Sequence, residues 1–178
     1  MAILTESRTA LPTGTWALDP VHSTIGFELP YLAGTFRGQF TDVEAKLTTE
    51  SLTGSARVAS IDVKDENLAA HLQSPDFFDA ERYPELSFES RDLESENGRL
   101  IARGDITIRG ITKPLELSGT LSEPLTDAYG RDRVGIRLET TVDRTEFGIN
   151  WNMPLPSGEP SLPNDVKLVA ELYFVREA

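Results

Sequence analysis

The chain has 178 residues, 39% of them hydrophobic and 26% charged, which fits one ordinary globular domain rather than a disordered chain. Asp and Glu outnumber Lys and Arg by 29 to 17, a net charge of −12. No basic cluster offsets that excess, so nucleic acid and anionic membrane surfaces are disfavoured as partners.

Residues 1–13 read as a polar, proline-containing flexible arm ahead of a domain over 14–178. The arm's only apolar run is Met1 to Leu4, without the basic start and ~7–15 apolar residues of a signal peptide. Nothing later approaches the ~18–20 apolar residues of a membrane span, so a cytoplasmic protein is expected.

From Thr15 onwards the dominant period is two, the signature of strands with one buried and one wet face. Ile25, Phe27 and Leu29 share a face, and Val43 to Leu47 alternates apolar and charged residues. Asp65 to Gln73 breaks the pattern: Leu68 and Leu72 stand four apart, Asp65 suits an N-cap and Pro75 a stop, so a short helix is predicted. Two adjacent aromatics, Phe77 and Phe78, follow in a loop. Alternation then resumes, with Leu100, Ala102, Ile106 and Ile108 on one face and Leu115, Leu117, Gly119 and Leu121 on the next. Val134 to Val142 and Val166 to Phe174 repeat it, separated by a long stretch from Asn152 to Pro163 that holds four prolines. Loops of that length are often rims or lids. Turn signals at Asn97-Gly98, Arg109-Gly110 and Asp127 to Gly130 join neighbouring runs. The class is therefore all-β, an antiparallel meander closed into a barrel, with a sandwich of two sheets as the rival.

Four pieces in order carry a resemblance: Trp16-Ala17-Leu18-Asp19-Pro20-Val21-His22-Ser23, then His71 to Asp79 with Tyr83-Pro84 and Phe88, then Gly104 to Pro114, then Asp143-Arg144-Thr145-Glu146-Phe147-Gly148-Ile149. Over roughly Gly14 to Arg176 the chain resembles the YceI-like family of lipocalin-like, polyisoprenoid-binding proteins. The resemblance implies an extended eight-stranded antiparallel barrel with an isoprenoid chain in its tunnel, a homodimer, and no enzymatic activity. Family members often carry a second histidine after the first strand. Here Leu29-Pro30-Tyr31-Leu32 offers Tyr31 instead, and Pro30 removes a backbone donor.

The expected function is the non-catalytic holding of a long apolar lipid, a polyisoprenoid or isoprenoid quinone, for carriage, storage or sequestration. A filled barrel serving as an interaction domain is the alternative, and an unrecognised hydrolase a more distant one. The expected ligand-binding residues are Phe27, Phe36, Phe40, Phe77, Phe78, Phe88, Ile106, Leu138, Phe147, Trp151 and Arg144. Small residues at inward positions (Ala102, Gly104, Gly119, Thr140 and Ala170) would leave room inside. Arg144 has two readings. It pairs with Asp143 or Glu146 on the surface, or it meets a ligand head group at the mouth. His22 and His71, the only histidines in a cysteine-free chain, are expected to be structural, tied to Asp19 and to the loop after the helix respectively. Two lone histidines make no dedicated metal shell, so no metal and no cofactor other than a bound lipid or quinone are expected.

Overall fold

The computed structural model describes residues 11–177. Most of the expected arm, residues 1–10, lies outside the described residues. Its last part is attached, because Leu11 packs against the apolar cluster at one end of the fold.

Two strands run on either side of a break at residues 19–23: β1 (Trp16–Leu18) and β2 (Thr24–Tyr31). β3 (Gly34–Phe40), β4 (Val43–Leu47), β5 (Leu52–Arg57) and the short β6 (Ile61–Asp62) follow. Helix α1 (Glu66–Gln73) comes next, then β7 (Glu85–Glu96), β8 (Arg99–Ile108) and β9 (Ile111–Leu121). A two-residue strand, β10 (Leu125–Thr126), precedes β11 (Asp132–Asp143), and β12 (Asp165–Arg176) ends the fold.

Pairing shows which pieces act as one strand. β12 carries β1 opposite Phe174–Arg176 and β2 opposite Lys167–Glu171, so β1 and β2 are two halves of one bent strand. β4 lies on β1 and β3 on β2, and β5 and β6 line up beside them in the same way. The result is a closed barrel of eight antiparallel strands, each neighbouring the next in sequence. It is closed where β12 pairs with β11 from Arg133–Val175 to Asp143–Asp165. That closure rules out the sandwich. Among the described residues no helix is long and apolar enough to cross a membrane.

Two turns set the long hairpins. Asn97-Gly98 and Arg109-Gly110 each place both central residues at positive φ, the geometry that suits two-residue hairpins between twisted strands. Pairing is incomplete in two places. β9 meets β11 only between Ser118 and Leu121, and β7 meets β5 only from Glu85 to Glu89.

The interior is divided. At one end Trp16, Leu47, Leu100, Val134, Leu138 and Phe174 are fully buried and pack into a solid plug. Arg176 lays its guanidinium 4.8 Å from the Trp16 ring centroid. The other half holds a second cluster around Phe27, Phe40, Ile106 and Phe147. Of the small residues expected to make room inside, only Ala170 borders the hollow half. Ala102 belongs to the plug, and the two glycines serve another purpose. A Cβ on Gly104 would fall on the Glu89 carbonyl oxygen, and one on Gly119 on the Arg137 carbonyl oxygen. The missing side chains allow neighbouring backbones to approach closely rather than opening space.

A polar network covers the plugged end. Asp19 accepts from Arg133 at 2.9 Å and pairs with His22 at 2.7 Å, while Arg133 also reaches Asp127 at 2.7 Å. Burial pushes the Asp19 carboxyl upward, but hydrogen bonds from His22, Arg133 and the Val21 backbone outweigh it and bring the pKa down to about 2. Arg133 likewise holds Asp127 far below the ordinary carboxylate range.

Two outcomes are expected. Gly119→Ala should lower stability by about 2 kcal/mol or more, since the new methyl forces β9 off β11. Denaturant midpoints check this, and a neutral result would mean that the strands can separate freely there. The depressed carboxylates contribute stability that is present above pH ~4 and fades as the pH falls toward ~2. Arg133→Met should therefore be less stable at neutral pH but lose stability less steeply over that acid interval, as read from unfolding curves at stepped pH.

Candidate functional site

Four segments shape the hollow half beyond the barrel's shared wall. β2 and β3 supply Phe27, Phe36 and Phe40, with Phe27–Phe36 centroids at 6.0 Å and Phe27–Phe40 at 6.1 Å. Helix α1 lies over this part of the barrel. Asp65 caps it by accepting from the Leu68 N–H at 2.9 Å, and Leu72 is its buried residue. The chain then turns, with the Phe78 N–H donating to the Leu72 carbonyl, and the two adjacent phenylalanines diverge. Phe78 reaches inward, edge-on to Phe40 at 5.7 Å and tilted on Phe27 at 6.1 Å. Phe77 faces Trp151 at 5.4 Å.

His71 stands between these groups. Its ring is edge-on to Phe77 at 5.0 Å and to Trp151 at 4.9 Å, and Nε2 is 3.0 Å from Asp76 Oδ2. It ties α1 to the following loop, and it also borders the cavity. His22 sits at the opposite, plugged end on Asp19.

The fourth segment begins where β11 ends. Residues Arg144–Phe147 form a single 3-10 turn, started by Asp143 accepting from the Thr145 N–H and hydroxyl. Surface pairing of Arg144 with Asp143 or Glu146 is not what forms. Arg144 is only 6% exposed. Its Nε donates to the Pro163 carbonyl at 2.9 Å, and Nη1 to the carbonyls of Ile149 and Trp151 at 2.9 and 2.8 Å. Burial pulls its pKa below the ordinary guanidinium value, opposed by the charge of Asp143. An arginine nonetheless remains charged. The proline-rich loop expected from the sequence is thereby pinned to the end of β11. Asn152 folds its far side, accepting from the Leu162 N–H and donating to the Leu162 carbonyl.

These elements enclose a cavity of about 350 Å³, within the usual size range of small-ligand sites. All eleven residues expected at a binding site border it: Phe27, Phe36, Phe40, Phe77, Phe78, Phe88, Ile106, Leu138, Phe147, Trp151 and Arg144. Leu52, Leu138 and Leu172, the top of the plug, form its floor. Partly exposed Tyr31, Phe36, Leu68, Trp151 and Leu162 lie at the other end, where the cavity meets solvent. Tyr31 is therefore a rim residue. The aliphatic face of β12 (Val166, Leu168, Ala170 and Leu172) also lines it. Its alternation made it visible in the sequence, although the site was read from aromatics. Leu162 had no such signal, lying among prolines. Among the described residues no three metal-binding side chains converge.

Arg109 was also missed. From the tight turn between β8 and β9 it donates through Nη1 to the Gly148 carbonyl and through Nη2 to the Pro75 carbonyl at 2.8 Å. One side chain thus joins a hairpin tip, the end of α1 and the loop after β11.

Residues 16–174 match the YceI-like domain model. The chain belongs to the YceI-like family. Among curated members, a UPF0312 protein of Photorhabdus laumondii is 29% identical over 158 residues, covering 84% of this chain and 82% of the relative. One from Staphylococcus aureus strain N315 is 29% identical over 171 residues, covering 89% and 96%. Of solved structures, BcnA of Burkholderia cenocepacia superposes with a TM-score of 0.76 at 17% identity, covering 88% of this chain and 98% of that one. A polyisoprenoid-binding domain from Saccharophagus degradans, implicated in plant cell wall breakdown, gives 0.65 at 10% identity, covering 91% and 98%. Both structures share the fold.

In this YceI-like chain the clasp at Arg109 has a measurable consequence. Arg109→Ala should speed amide hydrogen exchange in α1, in residues 75–79 and in residues 144–151, with little change in β8 and β9 away from the turn. Exchange that stays the same would show that the apolar contacts alone hold the cover down.

Proposed function

We propose that the chain holds one elongated apolar lipid, a polyisoprenoid or isoprenoid quinone, in the hollow half of the barrel, for carriage, storage or sequestration and without catalysis. The observation that carries this reading is the division of the interior into a solid plug and an aromatic- and aliphatic-lined cavity above it. An interaction domain with a filled core would have no use for the second half, since an apolar void costs stability in proportion to its volume. Each ligand CH₂ transferred from water into it contributes about 0.8 kcal/mol, so a partly enclosed isoprenoid chain is held without charge pairing or chemistry. The polyisoprenoid-binding neighbour points the same way. The one histidine at the cavity is engaged in structure: His71 is clamped between two rings and bonded to Asp76, which favours binding over hydrolysis. The family resemblance also leads us to expect a homodimer, which sedimentation velocity tests directly.

Native mass spectrometry of protein purified without detergent is expected to show a mass increment that organic extraction removes. A bare mass, together with no binding of a C20 isoprenoid, would sink the reading. We further expect α1 and Phe78 to act as the cover. Phe78→Ala should then accelerate lipid release by more than its loss of stability explains. If Phe78 only fills space, the substitution should cost ~3–5 kcal/mol and leave release from the folded protein unchanged.

A further inference from the structure

We propose that the mouth of the cavity is a docking surface for a lipid bilayer whose head groups carry no net charge. Two segments form the docking face: the tip of the β2–β3 hairpin and the proline-rich loop between β11 and β12. Lys167 pairs with Glu28 and Asp143 with Asp165. The end of β2, the end of β11 and the start of β12 therefore meet at one edge of the barrel, where the cavity opens. Leu32 is 67% exposed on this face, Met153 58% and Tyr31 44%. Charge is missing from the same two segments. Residues 29–36 hold no charged side chain and residues 147–164 only Glu159, in a chain that is 26% charged. The plugged end also exposes large apolar groups, Val21, Leu125 and Tyr129. Those stand among charges: Val21 beside Asp19, Leu125 opposite Arg133, and Tyr129 between Asp127 and Arg131.

Turn chemistry gives a second, independent sign. Leu32 and Ala33 make the two-residue turn of the hairpin, and Leu32 sits at φ 51°, a left-handed conformation that suits Gly, Asn or Asp. Arg109 adopts the same conformation in its own turn, where its side chain clasps two carbonyls. Leu32 makes no such return, since most of it stays in water. Folding therefore does not account for a leucine at this position. Insertion into the edge of a bilayer does, because an apolar side chain gains by leaving water. Tyr31 and Trp151, both partly exposed at the mouth, have the apolar body and polar tip that settle at head-group level. The net charge of −12 sets the class of surface, since anionic lipids would repel the chain. On the α1 side of the mouth Lys64, Asp65, Glu66 and Asp76 are exposed, so the barrel docks on its uncharged sector. The cavity then opens toward the membrane.

Flotation with vesicles tests the docking face. The unaltered chain should float with phosphatidylcholine vesicles, and float less when phosphatidylglycerol replaces part of the lipid, the difference shrinking as salt is added. Leu32→Asn should lower the partition coefficient about tenfold, the effect of withdrawing one apolar side chain. The same substitution should leave the denaturant midpoint equal or higher, because asparagine suits the left-handed turn. Met153→Gln should also weaken flotation, whereas Leu125→Asn, at the plugged end, should not. No flotation with phosphatidylcholine, stronger flotation with phosphatidylglycerol, or a Leu32→Asn variant that partitions like the unaltered chain would overturn the inference. So would an equal loss in Leu125→Asn, which would mark general stickiness. If sedimentation velocity shows Leu32→Asn dissociating a dimer and neither form floats, the face is a contact between copies and docking is excluded. Bound lipid is read separately by native mass spectrometry, so a chain that carries lipid but never floats overturns docking alone.

Discussion

Strand β12 is the constraint on which the rest of the structure depends. Along one side it pairs with β11 over nearly its whole length, and along the other it carries first β2 and then β1. Because both halves of the first strand lie on a single partner, the break between them bends the strand without opening the barrel. Closure turns twelve short pieces into one wall, leaving an inside and an outside. Every inward side chain of β12, from Val166 to Phe174, then belongs either to the cavity or to the plug.

The division of that interior assigns different physical tasks to its two ends. Trp16, Leu100, Leu138 and Phe174 are packed without access to water, and dense packing of this kind supplies most of the stabilisation of a small domain. The polar cap of Asp19, Arg133 and Asp127 sits over the same end. The cavity end is assembled differently. Side chains reaching for backbone carbonyls, Arg109 across three segments and Arg144 across one long loop, hold α1 and the rim in place. A rim fastened at a few points over a solid base can admit a ligand while the barrel stays folded.

The sequence made much of this legible and left identifiable gaps. Unbroken alternation in β8, β11 and β12 gave their inward faces, and Asp65, Leu68, Leu72 and Pro75 bounded the helix, because those signals are local. The aromatics chosen as binding residues all border one cavity, since in a barrel a shared face leads to a shared interior. What stayed hidden depends on contacts distant in sequence. The acceptors of Arg144 include Pro163, nineteen residues on, and neighbouring charges at 143 and 146 made a surface pair look natural. Gly104 and Gly119 were misread for a related reason. A glycine announces a missing side chain, but only the fold tells whether a cavity or a neighbouring backbone takes its place.

The incomplete pairing of two strands has a consequence for how this chain meets copies of itself. A closed barrel removes open sheet edges, yet β9 before Ser118 and β7 beyond Glu89 each keep one bare side. Bare backbone invites a strand from another molecule. Both stretches carry deterrents. On β7, a register shift between Ser90 and Asp92 kinks the edge, and Arg91, Asp92, Glu94 and Glu96 crowd it with charge. On β9, Pro114 stands opposite Asp105 in the hairpin with β8, at a position where an N–H would point toward the bare side. Lys113 and Glu116 flank it. The proline thus deletes a donor where an incoming strand would need one, which disfavours edge-to-edge pairing there although the wall is not fully zipped.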